Sequence, residues 1–293
     1  MEVVSFYDSD TGTFSYLIGD ADSGQAAIID PVLEFDIASG QTSHVLADQQ
    51  IQAASNRGWS IVWILETHAH ADHLTAAAYL KQQTGAQVAI GQGITEVQRR
   101  FRSVYALGAN FAVDGSQFDR LLEDGDVIDL GASQIKVLAT PGHTSDSVTY
   151  LIDQAAFIGD TLFMPNYGSA RCDFPGGDAG LLFDSIQKIY SLPASTRLYV
   201  CHDYPEAGRN EHCETTVTES RSSNIHLRAG TSRDDYIITR TTRDAHLAVP
   251  RLLLPSIQVN IRAGRLPTPD ANGVSYLKLP INADLVALAN PTD

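Results

Sequence analysis

The chain predicts a layered α/β (α+β) domain, on three observations. Short β-type runs gather in two clusters, one before residue 91 and one between residues 127 and 201. Helical stretches are interleaved with them, and Gly, Pro or Asp marks most of the joins. The chain is also long enough for a full core: 293 residues, 43% hydrophobic and 19% charged, which excludes a disordered or fibrous protein.

Taken in order, Phe14–Gly19 and Ala26–Asp30 are apolar runs closed by turn residues and read as strands. Ser43–Asn56 reads as a helix between a capping serine and Arg57-Gly58. Ser60–Leu65 (SIVWIL) has the β-branched and aromatic content of a buried strand. Leu74–Gln83 is Ala-rich and helical, with Asp72 as its expected cap and Gly85 as its stop. Gln87–Ile90 is a strand and Thr95–Leu107 a helix. Val127–Leu130, Gln134–Leu138, Val148–Ile152 and Ala155–Ile158 are strands, Leu181–Tyr190 is a helix ended by Pro193, and Arg197–Cys201 is a strand. The more polar remainder reads as an appendage, so residues 1–205 form the expected catalytic core. Residues 206–293 form an extension packed on it, not an independent domain.

Composition narrows the function. Twenty basic against 35 acidic residues give a net charge of −15, the wrong sign for nucleic acid or an anionic membrane surface. Three scattered cysteines make neither a disulfide framework nor a thiolate zinc site. The N-terminus lacks the basic-then-apolar pattern of a signal peptide, and no run reaches the roughly 18 apolar residues of a span. A soluble cytoplasmic protein is expected.

The chemistry gathers where strands end. The strand at 60–65 runs into Thr67-His68-Ala69-His70-Ala71-Asp72-His73, and that at 134–138 into Thr140-Pro141-Gly142-His143-Thr144. The strand at 155–158 runs into Gly159-Asp160-Thr161, and that at 197–201 into His202-Asp203-Tyr204. Five of the nine histidines lie at these ends, and loops leaving one edge of a sheet converge on one crevice. Imidazole and carboxylate suit zinc, iron or manganese, and the spacing differs from the helical HExxH of zinc peptidases. His68 and His70 can share a face, with Asp72 and His73 entering the next helix at its first turn. Cys201, on a strand beside His202, should point away from the metal, so a Cys-His nucleophilic pair is not expected.

His68-x-His70-x-Asp72-His73, then His143, Asp160 and His202, resembles the metallo-β-lactamase superfamily over residues 10–205, with the motifs in the family's order. The resemblance implies an αββα sandwich with the metal at one edge of both sheets. Arg171-Cys172-Asp173-Phe174, within SARCDFPGGDA, and LPSIQVNIRAGR at 254–265 resemble the persulfide (sulfur) dioxygenases of the ethylmalonic-encephalopathy-protein-like branch, bacterial type.

What this second resemblance implies is one Fe(II) per chain on His68, His143 and Asp160, a facial arrangement that leaves positions for a sulfur and O2 side by side. The implied reaction oxidises glutathione persulfide with O2 to sulfite and glutathione. His70, Asp72, His73 and His202 then orient ligands, or alternatively hold a second metal, as in dinuclear zinc thioester hydrolases such as glyoxalase II. Arg171 and Tyr204 are the implied glutathione contacts. A further basic contact has Arg221, His226 and Arg228 as its nearest candidates, and Pro205–Cys213 departs from the family pattern as an insertion or rearranged loop. A binding protein that has lost catalysis is disfavoured, since every ligand position is filled. Homodimer formation stays open.

Overall fold

The computed structural model describes residues 1–205 and 208–290, and its layers follow from which side of each strand is apolar. The first half runs β1 (Glu2–Asp8), β2 (Thr13–Asp20), β3 (Gln25–Ile29), β4 (Val32–Asp36), β5 (Gln41–Ser43), α1 (Val45–Asn56), β6 (Ser60–Leu65), β7 (Leu74–Thr75), α2 (Ala77–Thr84), β8 (Gln87–Gly91), α3 (Ile94–Val104) and β9 (Arg120–Leu122). The second runs β10 (Val127–Leu130), β11 (Ser133–Ala139), β12 (Val148–Ile152), β13 (Ala155–Phe157), α4 (Ala179–Tyr190), β14 (Arg197–Tyr199), β15 (Glu214–Thr216), α5 (Val217–Ser223), α6 (Arg233–Asp244), α7 (Leu253–Asn260) and α8 (Leu285–Ala289). One sheet has the order β1-β2-β3-β6-β8-β9 and the other β10-β11-β12-β13-β14-β15, with β4, β5 and β7 in a small third sheet.

Alternation along each strand sorts its side chains between layers. On β2, Tyr16 and Ile18 join Ile128, Val137 and Tyr150 of the facing sheet in one core. Leu17 points the other way, into a core with Leu80, Val97 and Phe101 of α2 and α3. Across the sandwich, Ala156 and Leu198 meet Leu182, Ile186 and Tyr236 of α4 and α6. Three successive cores mean four layers, the expected αββα order. Each fully buried Leu, Ile or Phe contributes about 1.5–3 kcal/mol.

The strand directions bring the chemistry to one edge. β3 and β6 are parallel, as are β13 and β14, so the chain leaves each pair on the same side. The two sheets are stitched there by Phe14 N donating to Cys201 O at 2.7 Å and Asp203 N to Gly12 O at 3.1 Å.

Two local expectations are corrected. Asp72 caps no helix, and neither Asp72 nor His73 enters one. Leu74 and Thr75 instead pair with Leu33 and Val32, so α2 starts at Ala77 behind an Ala76 cap that makes no side-chain bond. Ser43 does not cap α1 either; His44 stands there, and Glu34 Oε1 accepts from Leu46 N at 2.7 Å. The more polar region after Pro205 contains β15 and α5 to α8. On α6 the buried face carries charge, with Tyr236, Arg240 and Asp244 as the buried residues. Among the described residues, no helix is long and apolar enough to cross a membrane.

The segment after α6 returns to the first sheet. Asn260, at the end of α7, is 3% exposed. Its Nδ2 donates to His70 O at 2.8 Å and His73 O at 2.9 Å, and its Oδ1 accepts from Thr75 N at 2.9 Å. Asn260→Leu keeps the volume and strands these three backbone groups in a dry site. It should destabilise the protein by about 2–4 kcal/mol. Urea unfolding measures this, and an unchanged midpoint would contradict the account.

Candidate metal centre

Beyond two backbone bonds at its start, Glu66 N to Ala89 O and Val148 N to Thr67 O, the segment from Glu66 to His73 has no ladder, and its remaining backbone groups lean on side chains from elsewhere. Asp30, just beyond β3 at a φ of 49°, accepts from Thr67 N at 2.7 Å and Thr67 Oγ1 at 2.9 Å. Asp146 Oδ2 accepts from Ala69 N at 2.8 Å, and Asn260 holds the far end. His143 follows Gly142, whose φ of +135° and approach to α4, where a Cβ would lie 2.2 Å from Leu182 N, leave room for glycine alone.

The ligand atoms of His68, His143 and Asp160 lie within 4.8 Å of one another, and all three residues are buried. His68 Nε2 is 3.8 Å and His143 Nε2 3.6 Å from Asp160 Oδ2. The proton positions follow from the partners. His143 Nδ1–H donates to Arg171 O at 2.6 Å. Thr67 Oγ1–H is taken by Asp30, so its oxygen accepts from His68 Nδ1, 3.1 Å away. Both rings therefore present a bare Nε2 toward Asp160. Burial holds the His68 imidazole well below its usual pKa, and neighbouring His70 adds to this. Burial alone would raise the Asp160 carboxyl, but His202, His68 and His143 outweigh it and keep it ionised.

A second cluster adjoins the first. His202 Nε2 lies 3.2 Å from both Asp160 Oδ1 and Asp72 Oδ2, and His73 Nδ1 is 3.3 Å from Asp72 Oδ2. His70 Nε2 is 3.0 Å from Asp30 Oδ1. Opposing its burial, Asp30 lifts the His70 pKa to about 10, and Asp160 with Asp72 lifts His202 to about 9. Cys201 corrects the alternation argument. Because β14 ends at Tyr199, Cys201 does not point away; its sulfur lies within 4.8 Å of ring nitrogens of His70 and His202. Burial raises its thiol pKa far above normal, so it offers no thiolate.

These donors fit a divalent metal. His68 Nε2, His73 Nε2, His202 Nε2 and Asp160 Oδ1 are buried atoms with no hydrogen-bond partner, a costly arrangement for polar atoms unless something else satisfies them. Imidazole and carboxylate without thiolate suit iron, zinc or manganese.

His143, Asp160 and His202 form the floor of a cavity of about 380 Å³, walled by Phe163, Tyr167, Phe174, Leu247 and Pro250. Both expected substrate contacts line it. The Tyr204 ring stacks on His202 at 5.8 Å and 5°. Arg171 is already committed: Nε and Nη2 bind Asp173 at 2.6 and 2.7 Å, and Nη1 binds Ala248 O at 2.6 Å. Of the three further basic candidates, His226 lines the cavity, while Arg221 and Arg228 do not. Arg240 and Arg243 do, and the sequence reading missed them. Their spacing with Leu247, at i, i+3 and i+7, was the available signal.

Residues 9–202 match the metallo-beta-lactamase superfamily, and the chain belongs to it. It is 52% identical over 293 residues to a Burkholderia pseudomallei protein named "Probable metallo-hydrolase", covering 97% of this chain and all of that one. It is 30% identical to the human mitochondrial persulfide dioxygenase ETHE1, over 88% of this chain and 87% of that one. The crystal structure of ETHE1 from Myxococcus xanthus superposes with a TM-score of 0.72 at 32% identity, over 90% of this chain and all of that one. Against a 48%-identical beta-lactamase hydrolase-like protein of Xylella fastidiosa, the chain spans 65% of the relative's length.

One wall residue gives a pH test. Burial, with Arg240 and Arg243 nearby, lowers the His226 pKa to about 4. Unfolded, the residue titrates near its ordinary value of about 6.5. Between those values the unfolded chain carries a proton that the folded one refuses, so stability falls as pH falls from about 6.5 to about 4. His226→Gln should flatten that slope in urea unfolding across a pH series, and equal slopes would contradict the assignment.

Proposed function

We propose that this superfamily member is a persulfide dioxygenase. It would hold one Fe(II) on His68, His143 and Asp160 and convert glutathione persulfide, O2 and water to glutathione and sulfite. The observation that carries the reading is the contrast between the two clusters. The Nε2 atoms of His68 and His143 converge on one carboxylate at the floor of an open cavity, whereas the Nε2 atoms of His70 and His202 stand in charge pairs, 3.0 Å from Asp30 and 3.2 Å from Asp72 and Asp160, without hydrogen bonds of good geometry. The resemblance of the Arg171–Phe174 loop, and relatives named persulfide dioxygenase at about 30% identity, support the same choice.

When bound, the iron supplies redox chemistry that brings O2 and a persulfide sulfur together. The chain's residues do the rest. His202 sets its Nε2 3.2 Å from Asp160 Oδ1, a charge pairing that keeps the carboxylate ionised, and its ring is steadied through Nδ1, 3.3 Å from Gly12 O. Arg171 orients His143 through its backbone carbonyl. Phe163, Phe174, Leu247 and Pro250 keep bulk water from the reacting sulfur. Tyr204 and Arg171 flank the carrier.

A second reading, a dinuclear zinc thioester hydrolase, draws on one observation. Asp72, Asp160 and His202 also lie within 4.8 Å of one another, as do His70, Asp72 and His73. The relative named as a metallo-hydrolase agrees with it.

Oxygen uptake and sulfite release, with lactoylglutathione hydrolysis run alongside, separate the two. Iron-loaded protein should consume O2 on glutathione persulfide, and His68→Ala should lose metal and uptake together. His202→Ala should keep one metal per chain and lose activity by about 10–100-fold. No uptake, with thioester cleavage restored by two zinc ions per chain, would replace the first reading with the second.

A further inference from the structure

Asn260 turns toward the histidine loop, while Gln258 and Arg262, two positions to either side of it, line a different cavity. That cavity measures about 380 Å³ and shares no lining residue with the one at the metal centre. Its walls come from the end of α7, from the loop after α3 and from residues 267–278. Leu107, Phe111, Pro267 and Tyr276 make an apolar and aromatic lining, to which Arg262 and Lys278 add two cations.

The walls are tied in place by the protein itself. Gln258, 1% exposed, donates through Nε2 to Lys278 O at 2.8 Å, and its Oε1 accepts from Lys278 N at 2.8 Å. Asn272 Nδ2 donates to the Tyr276 hydroxyl at 2.7 Å, and Ser275 Oγ donates to Pro267 O at 2.7 Å. The two cations are less fully matched, and neither has an ion pair among the described residues. Arg262 lies over the Phe111 ring, 4.8 Å from its centroid, and gives Nη1 to Gln258 O. Its Nε and Nη2 have no hydrogen bond among the described residues. Burial lowers its pKa, and no neighbouring acid counters this. Lys278 Nζ gives one proton to Ala106 O at 2.8 Å and has two left to donate. The lining holds one acid, the exposed Asp270, so its balance is positive in a chain of net charge −15.

We propose that this cavity is a second small-molecule site, built for an aromatic ring that carries a carboxylate. Nε and Nη2 stand on one edge of the guanidinium and match the two oxygens of such a group, and the Lys278 ammonium adds charge. Tyr276, Leu107 and Pro267 give the ring its apolar contacts. The volume falls in the range of roughly 300–1,000 Å³ usual for ligand pockets, and a mostly apolar wall with a few placed polar groups is their usual makeup. The site is separate from the metal centre, so it holds whichever reaction the metal serves.

Naphthoate, naphthamide and acetate, each titrated calorimetrically into the metal-containing protein, separate the ring from the charge. Naphthoate should bind at least about tenfold more tightly than either of the others, the size of one charge-assisted hydrogen bond. Arg262→Gln and Lys278→Met should each weaken naphthoate and leave naphthamide unchanged, whereas Tyr276→Ala should weaken both. Lys278 is exposed, so its variant keeps the packing even if loss of the Arg262 contact with Phe111 harms the fold. Tyr204→Ala, in the metal-centre cavity, should change none of these values. The proposal is overturned if naphthoate does not bind, if it binds no better than naphthamide, or if both cation variants bind it as the wild type does. Binding that is lost in Tyr204→Ala and kept in Lys278→Met puts the ligand at the metal centre and overturns it equally.

Discussion

An irregular loop that must present several imidazoles on one side cannot satisfy its own backbone, and the remainder of the molecule is arranged around that constraint. Asp30 takes the start of the loop, Asp146 the middle and Asn260 the end. They come from the strands of one sheet, from the turn before β12 and from the C-terminal part of the chain. None of the three is itself among the expected metal-binding residues. The sandwich therefore does more than carry the site at its edge; the contacts that unite its layers also give the loop its shape.

The loop lies among many charges. Asp30, Glu66, Asp146 and Asp160 are buried within a few residues or a few ångströms of five histidines, and burial with Asp30 nearby raises the Glu66 pKa to about 8. Buried ion pairs recover their desolvation cost only when geometry and hydrogen bonding are both good. Here several nitrogens and oxygens remain unmatched. A bound cation resolves this mismatch by bringing positive charge to the atoms that lack partners. The same logic applies on the cavity wall, where Arg171 and Arg240 are matched by neighbouring acids and Arg243 is not.

Strand-end motifs made much of the layout readable. Short apolar runs closed by Gly or Asp marked the sheets, and ligand-type residues stood directly after them. What sequence reasoning lacked was long-range pairing. Asp72 looked like a helix cap because nothing local shows Leu74 and Thr75 pairing with β4. Cys201 was misdirected because the strand stops two residues early. Arg171 stood out in the sequence for its place in the loop, while the pairing of its guanidinium with Asp173 and of its carbonyl with His143 is visible only in the fold. Asp30 and Asn260 were ordinary residues in the sequence, one at a strand end and one near a helix end. Their importance comes entirely from partners 37 and 185 or more residues away.

That separation has a consequence for how the protein is made. The hydrogen bond between Asn260 and His70 spans 190 positions, so the loop leaves the ribosome about 10–40 s before its clamp at synthesis rates of 5–20 residues per second. Both sheets can pair during that interval, but the last turn of the histidine loop has no clamp until α7 has been made. A cation that arrives before α7 docks therefore meets a loop tied down at its start and middle but not at its end.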